Sequence, residues 1–252
     1  MTEDDAFIRA IVDNPGDDTP RLVYADWLDD RDDPRGPYLR AERDAVETGD
    51  IARLRELAVG LDSVWVARVS RPPVGVCCDR VRFNSRGRTL SADDIGHLER
   101  QLGGQFCAGY RAFLMNYNGG APAPACLSYP DPTWADMDID VGEFYAVGAP
   151  YEPAPNESSE WYGNLKHERD FLHELYQISG GEGDNPLITG MVQFADTPND
   201  LGYLLIGIAP ENRGRIYHFR DYCHFSRDPG HLFDYCDTFA ALLNCIRPAR
   251  NP

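Results

Sequence analysis

The sequence predicts an α+β fold, with a small all-helical module ahead of a larger domain that mixes helices and strands. Three observations predict it. Residues 1–61 carry capped apolar stripes at helical spacing. Residues 91–117 repeat that pattern. From about 125 onward, short apolar segments of strand character alternate with turn clusters before a closing helical stripe, the order expected of an α+β domain.

The first helix begins at Thr2, a cap with Asp5 three residues on, and it buries Phe7, Ile8, Ile11 and Val12. Asn14-Pro15-Gly16 ends it. Thr19-Pro20 starts a second helix as cap and first helical residue, with Leu22, Val23, Ala25, Trp27 and Leu28 as its apolar face. Asp33-Pro34-Arg35-Gly36 stops it, and two more helical patterns occupy 37–47 and 50–60. The expected division is a helical module over 1–66, a basic connector over 67–90 with one short strand at Val74–Phe83, and a second domain over 91–252.

In that domain Ser91 caps a helix with Asp94, and Ile95, Leu98 and Leu102 keep its spacing as far as Gly103-Gly104. The next helix, 108–117, carries Tyr110, Phe113, Leu114 and Tyr117, and Asn118-Gly119-Gly120 terminates it. Strands are expected at 125–130 and 137–148, a helix at 165–178, and strands at 188–195, 202–209 and 214–219. The final helix is expected over 232–246.

The formal net charge is −17 and Lys166 is the only lysine. Residues 1–61 hold 16 acids against 8 arginines, and 91–252 hold 23 acids against 10 basic residues. The connector region reverses the sign through Arg68, Arg71, Arg80, Arg82, Arg86 and Arg88. So acidic a chain repels phosphate backbones and draws in basic partners, so no direct nucleic-acid binding is expected. The longest apolar runs, such as Leu204-Leu205-Ile206, are too short to span a bilayer, and the acidic Met1-Thr2-Glu3-Asp4-Asp5 does not read as a secretory leader. No membrane partner and a cytoplasmic location are therefore expected. Seven cysteines at irregular spacing read as reduced thiols.

Chemical motifs are weak. Asp136, Asp138 and Asp140 open like a calcium loop, but Val141 and Val147 stand where its glycine and late glutamate belong. The alternation reads instead as a strand with Met137, Ile139 and Val141 inward. Cys223, His224, His231 and Cys236 lack the paired spacing of zinc sites. With no nucleophile motif and no phosphate loop, neither a cofactor, a metal nor a catalytic residue is expected.

The string Asp13 to Leu28, with Arg31 to Gly36 and Leu39-Arg40-Ala41-Glu42 after it, resembles the short bacterial repeat-companion domain over about 45 residues. Tyr24, Asp26 and Trp27 sit at its centre; Trp27 is expected to pack in the helical core and Asp26 to make a structural hydrogen bond, with a recognition surface formed by the three as the alternative. A second resemblance covers about 155 residues. Asp94-Ile95 and Leu98-Glu99 to Leu102-Gly103, then Tyr110, Phe113-Leu114 and Tyr117-Asn118-Gly119-Gly120, are similar to the Smi1/Knr4 (SUKH) superfamily. Gln193-Phe194-Ala195, Gly202 to Ile206, Gly214-Arg215-Ile216-Tyr217 and Asp237-Thr238-Phe239 follow in the family's order.

That resemblance implies a mostly antiparallel sheet flanked by helices, and a protein that binds rather than catalyses. Bacterial members are mostly immunity proteins that neutralise toxins, many of them nucleases; fungal members act as scaffolds. The expected partner is accordingly a protein, with a basic toxin domain first, an intracellular adaptor role as the alternative and a metal-dependent enzyme as a remote one. The face chosen for it is acidic and aromatic: Tyr129, Trp134, Asp136, Asp138, Asp140, Glu143, Trp161 and Tyr162.

Overall fold

The computed structural model describes residues 2–84, 86–130, 137–148, 165, 177, 186–198, 202–220 and 232–250. The chain divides into two units, Met1–Arg80 and Val81–Pro252.

The first unit holds α1 (Glu3–Asp13), α2 (Thr19–Asp29), α3 (Arg35–Thr48), α4 (Ala52–Ala58) and α5 (Ser63–Val69). The Thr2 cap forms as the sequence predicts. Thr2 Oγ1 accepts from Asp5 N at 3.1 Å, and Asp5 Oδ2 accepts from Thr2 N at 3.0 Å. Thr19, in contrast, lies inside α2 rather than at its cap; Asp18 takes that position and Asp17 Oδ1 accepts from Thr19 N at 2.8 Å. The buried face of α2 is also rotated from the expected one. Arg21, Tyr24, Ala25 and Leu28 point inward and Val23 is 50% exposed. Trp27 is only half-buried, with the Arg31 guanidinium 3.8 Å over its ring.

Buried charge holds this unit together. Arg21 Nε donates to Glu42 Oε2 at 3.2 Å, and its other nitrogens reach the carbonyls of Pro15 (2.9 Å) and Val69 (3.2 Å). Arg71 N donates to the other Glu42 oxygen at 2.7 Å, and its guanidinium reaches Pro15 O and Asp18. Burial pushes the Glu42 carboxyl up, and the Arg21 charge opposes it. Around the Tyr24 hydroxyl, Arg35 and the Trp65 indole donate at 3.2 Å each, and Tyr24 donates to Asp4.

The segment read as a connector is shared between the units. Residues 67–69 belong to α5, which Asp62 caps through Trp65 N, and residues 70–80 fold back onto the first unit. Ser70 meets the Tyr38 hydroxyl, and Cys77 Sγ donates to Ile11 O at 3.5 Å. The strand expected at Val74–Phe83 reduces to β1, Arg82–Asn84, in the second unit.

In the second unit β1 pairs antiparallel with β2 (Ala121–Ala123), and β3 (Cys126–Ser128) with β4 (Asp138–Asp140). A four-stranded antiparallel sheet follows in the order β5 (Met191–Thr197), β6 (Gly202–Gly207), β7 (Ile216–Arg220), β8 (Leu232–Cys236). Its described helices include α6 (Ala92–Leu102), α7 (Ala108–Asn116) and α8 (Phe239–Cys245). Ser91 and Asp94 form the expected capping box on α6. The helix expected over 165–178 lies outside the described residues except at Leu165 and Gln177, both helical.

The closing element differs from the expected single helix. Residues 232–236 pair with β7, Tyr217 opposite Asp234 and His218 opposite Phe233, and only 239–245 are helical. Thr238 decides the switch, because its hydroxyl accepts from Ala241 N at 3.1 Å and starts α8 there.

One aromatic core joins these pieces. Phe239 of α8 lies 5.0 Å from Tyr110 and 5.0 Å from Phe113, and Phe144 lies 5.4 Å from Phe83, Phe113 and Phe194 alike. The backbone of Phe144 bridges Gly120 on one side and Ala195 of β5 on the other. Asn118 and Gly119 take positive φ, 47° and 86°, and a Cβ on Gly119 would sit 2.6 Å from Phe144 O. Asn118 completes the turn by donating to Arg88 O (2.9 Å) and accepting from Val147 N (2.7 Å). The opposite face of the sheet carries a second apolar cluster, Ile188, Leu205, Tyr217 and Phe219.

Candidate functional site

The acidic positions of the second unit fall into two settings with opposite electrostatics. In the first, β4 places Asp138 and Asp140 on one side of the β3–β4 hairpin while Ile139 is buried beneath. Asp138 is not an open negative charge. The Arg247 guanidinium donates to both its oxygens, and Arg250 N donates to Oδ2 at 2.8 Å. These arginines hold the Asp138 carboxyl below its ordinary range. Arg247 is itself fixed, because its backbone pairs with Cys126, N to O at 2.9 Å and 3.0 Å. Asp140 is exposed and accepts from Cys126 Sγ at 3.2 Å. The expected inward alternation fails at Met137, which is 48% exposed, because β4 starts one residue later.

Tyr129 follows β3 and is 6% exposed, so its ring packs rather than presents itself. It stands edge-on to His218 at 5.7 Å, with the Arg220 guanidinium 5.3 Å over its ring. Trp134, Asp136, Trp161 and Tyr162 lie outside the described residues. So do Cys223, His224 and His231, which leaves Cys236 as the described member of the weighed zinc set. Among the described residues no three histidine, cysteine or acidic side chains group as metal ligands.

The second setting contains Glu143, and its partner was not legible in the sequence. Residues 142–145 run beside β5: Gly142 N donates to Asp196 O (3.0 Å) and Tyr145 N to Phe194 O (2.7 Å). The Asp196 carboxylate turns back and accepts from Glu143 N at 2.7 Å. The Asp196 carboxylate thus sits against the backbone of Glu143, 53 residues away in sequence, and the Glu143 carboxyl feels its charge. Partial burial, and next the Asp196 charge, push the Glu143 carboxyl above its ordinary value. Beside them Gln193, 1% exposed, donates to the Tyr145 hydroxyl at 2.8 Å, while its own Oε1 has no hydrogen-bond partner.

A cleft of about 420 Å³ beside α6 makes a contrast. Within it Arg88 pairs with Asp94 at 2.9 Å, and His97 shares a hydrogen bond with Gln101 at 2.9 Å.

The order of elements, the Tyr117 to Gly120 turn and the closing Thr238 cap agree with a known family, whose model, described as SMI1 / KNR4 family (SUKH-1), matches residues 89–245. The chain belongs to the SMI1/KNR4 family. The matched range spans most of the second unit and begins after the first unit has ended. SUKH domains are known for binding protein partners and are generally not enzymes. No curated protein matches the chain. No helix among the described residues is long and apolar enough to cross a membrane.

Proposed function

We propose that this chain is an immunity-type protein that neutralises a toxin by stoichiometric binding. The observation that carries the reading is the SUKH match over 89–245, in a chain whose formal net charge is −17. A nuclease or another enzyme that acts on nucleic acid needs a basic surface, and an acidic binder competes for that surface through charge and shape. Occlusion of an active site requires a patch of about 800 Å² per partner, within reach of a domain this size. Asp140 is exposed on β4, and no arginine among the described residues pairs with Glu143 beside β5. Asp138 contributes structure instead, through Arg247 and Arg250.

A pull-down of the tagged full chain from its native cells tests this. The expected result is one basic protein in near-equal amount, weakened by Asp140→Ala with Glu143→Gln, whose toxic activity disappears in the complex. Recovery of several unrelated proteins, unchanged by these substitutions, overturns the immunity reading.

The first unit favours a second reading. It has its own buried network and lies outside the family range, and its Asp13–Leu28 string resembles the repeat-companion domain. An adaptor would use that unit to hold a second protein, and a chain trimmed to Val81–Pro252 would then lose one of two captured partners.

A further inference from the structure

Acceptor groups without donors mark places where a protein is chemically incomplete. Glu143, Asp196 and Gln193 make one such place. Gln193 and Asp196 sit opposite Leu205 and Tyr203 in the ladder, so both project from the sheet face that carries the second apolar cluster. Glu143 and Tyr145 flank Phe144, whose ring enters the opposite core, and therefore share that face.

Asp196 is pre-set there. Glu143 N holds one of its oxygens at 2.7 Å, and Gly142 leaves the space that the carboxylate fills, since a Cβ there would run into it. Glu143 is only partly exposed, next to a like charge, and no counter-ion lies against it among the described residues. Gln193, nearly fully buried, adds a carbonyl oxygen without a donor. All three groups accept, and among the described residues no cation lies against them.

We propose that Glu143 and Asp196 form a receptor for an arginine side chain of the bound protein. This deepens the binding function proposed above and rests on it. A guanidinium suits the place better than an ammonium, because its planar fork presents several N–H groups at fixed angles and can serve two carboxylates at once. The fixed Asp196 sets the register of that fork, and Glu143 closes on it. Arginine side chains also line nucleic-acid-binding surfaces, so the receptor selects the residue type that such a partner must expose.

The test uses the full chain and a hexa-arginine peptide at about 150 mM salt, where charges more than about 8 Å apart are screened. Binding is measured by calorimetry and by amide NMR. The expected result is a shift centred on Gly142, Glu143 and Asp196, and an affinity about tenfold lower in Glu143→Gln and in Asp196→Asn. Both substitutions keep the side chain's shape and one acceptor oxygen while removing the charge. Asp237→Asn, at a 90% exposed side chain, removes the same charge elsewhere and should change affinity by less than about twofold.

Equal losses in all three variants, or shifts spread over the whole surface, overturn the assignment in favour of diffuse attraction. Saturation of the pair by MgCl2 or CaCl2 alone at micromolar concentration, with loss of the peptide, overturns it in favour of a metal site. The two layers of inference fail separately. A natural partner held equally by the wild type and the Glu143→Gln/Asp196→Asn double variant sinks the receptor and leaves the binding function. A receptor that takes hexa-arginine in a chain that inhibits no toxin sinks the immunity reading alone.

Discussion

The two units bury different chemistry. The first places Arg21, Glu42 and the Tyr24 hydroxyl inside a small helical body, and the second closes around Phe83, Tyr110, Phe113, Phe144, Phe194 and Phe239. The first unit spans only Met1–Arg80, and a domain that small has limited apolar surface to bury. Its loop carbonyls, Pro15 O above all, find donors in arginine side chains rather than in a sheet. The second unit has strands to satisfy its backbone, so its interior can be given to rings. A buried ion pair fixes geometry more than it adds free energy, whereas aromatic packing adds both.

Substitutions can break or sharpen that contrast. Phe113→Ala should have the largest effect, about 3–5 kcal/mol lost from the second unit. Hydrogen exchange would show it as lost protection in β5–β7 with α1–α3 unchanged, and equal loss in both units would break the comparison. Glu42→Gln comes next. It leaves Arg21 without its buried counter-charge and should cost the first unit about 3 kcal/mol in denaturant titrations. An Arg21→Met/Glu42→Leu double variant should recover most of that loss; a double variant as unstable as the single would mean that the ion pair is a net source of stability.

The caps compare the units at their one shared device. Thr2→Ala and Ser91→Ala should each cost about 1 kcal/mol, in α1 and α6 respectively. The smallest effect concerns pH. Since the folded state holds the Glu143 carboxyl above its ordinary value, folding favours its protonated form. The second unit should therefore gain a little stability as pH falls through that raised value, and lose it again as pH rises. Asp196→Asn should flatten this dependence, and carboxyl-detected NMR should show Glu143 titrating lower.

Legibility in the sequence followed the range of the interaction. Both capping boxes were readable because Thr2 with Asp5, and Ser91 with Asp94, sit three residues apart. The Asn118-Gly119-Gly120 turn was readable because its φ values demand those residue types. Where two periods fit one string, the reading failed. Leu232, Phe233 and Cys236 satisfy a helix or a strand, and pairing with β7 decides for the strand. The same holds for the orientation of α2, where a tyrosine hydroxyl shared with Asp4, Arg35 and Trp65 outweighs the apolar Val23. Of the chosen acidic face, Asp140 is exposed and Glu143 partly so, while Asp138 is tied to residues more than a hundred positions later. Asp196 was overlooked because nothing local marks it; only the run of 142–145 along β5 brings it to Glu143.

The tie from Asp138 and Cys126 to Arg247 also orders events in time. A ribosome releases the β3–β4 hairpin well before residues 247–250, so the nascent domain carries a bare aspartate and an unpaired strand edge during most of its synthesis. Ser128 waits 119 residues for its arginine. Contacts so distant in sequence are slow to find, and arginines synthesised more than a hundred residues later are the ones that seal the hairpin.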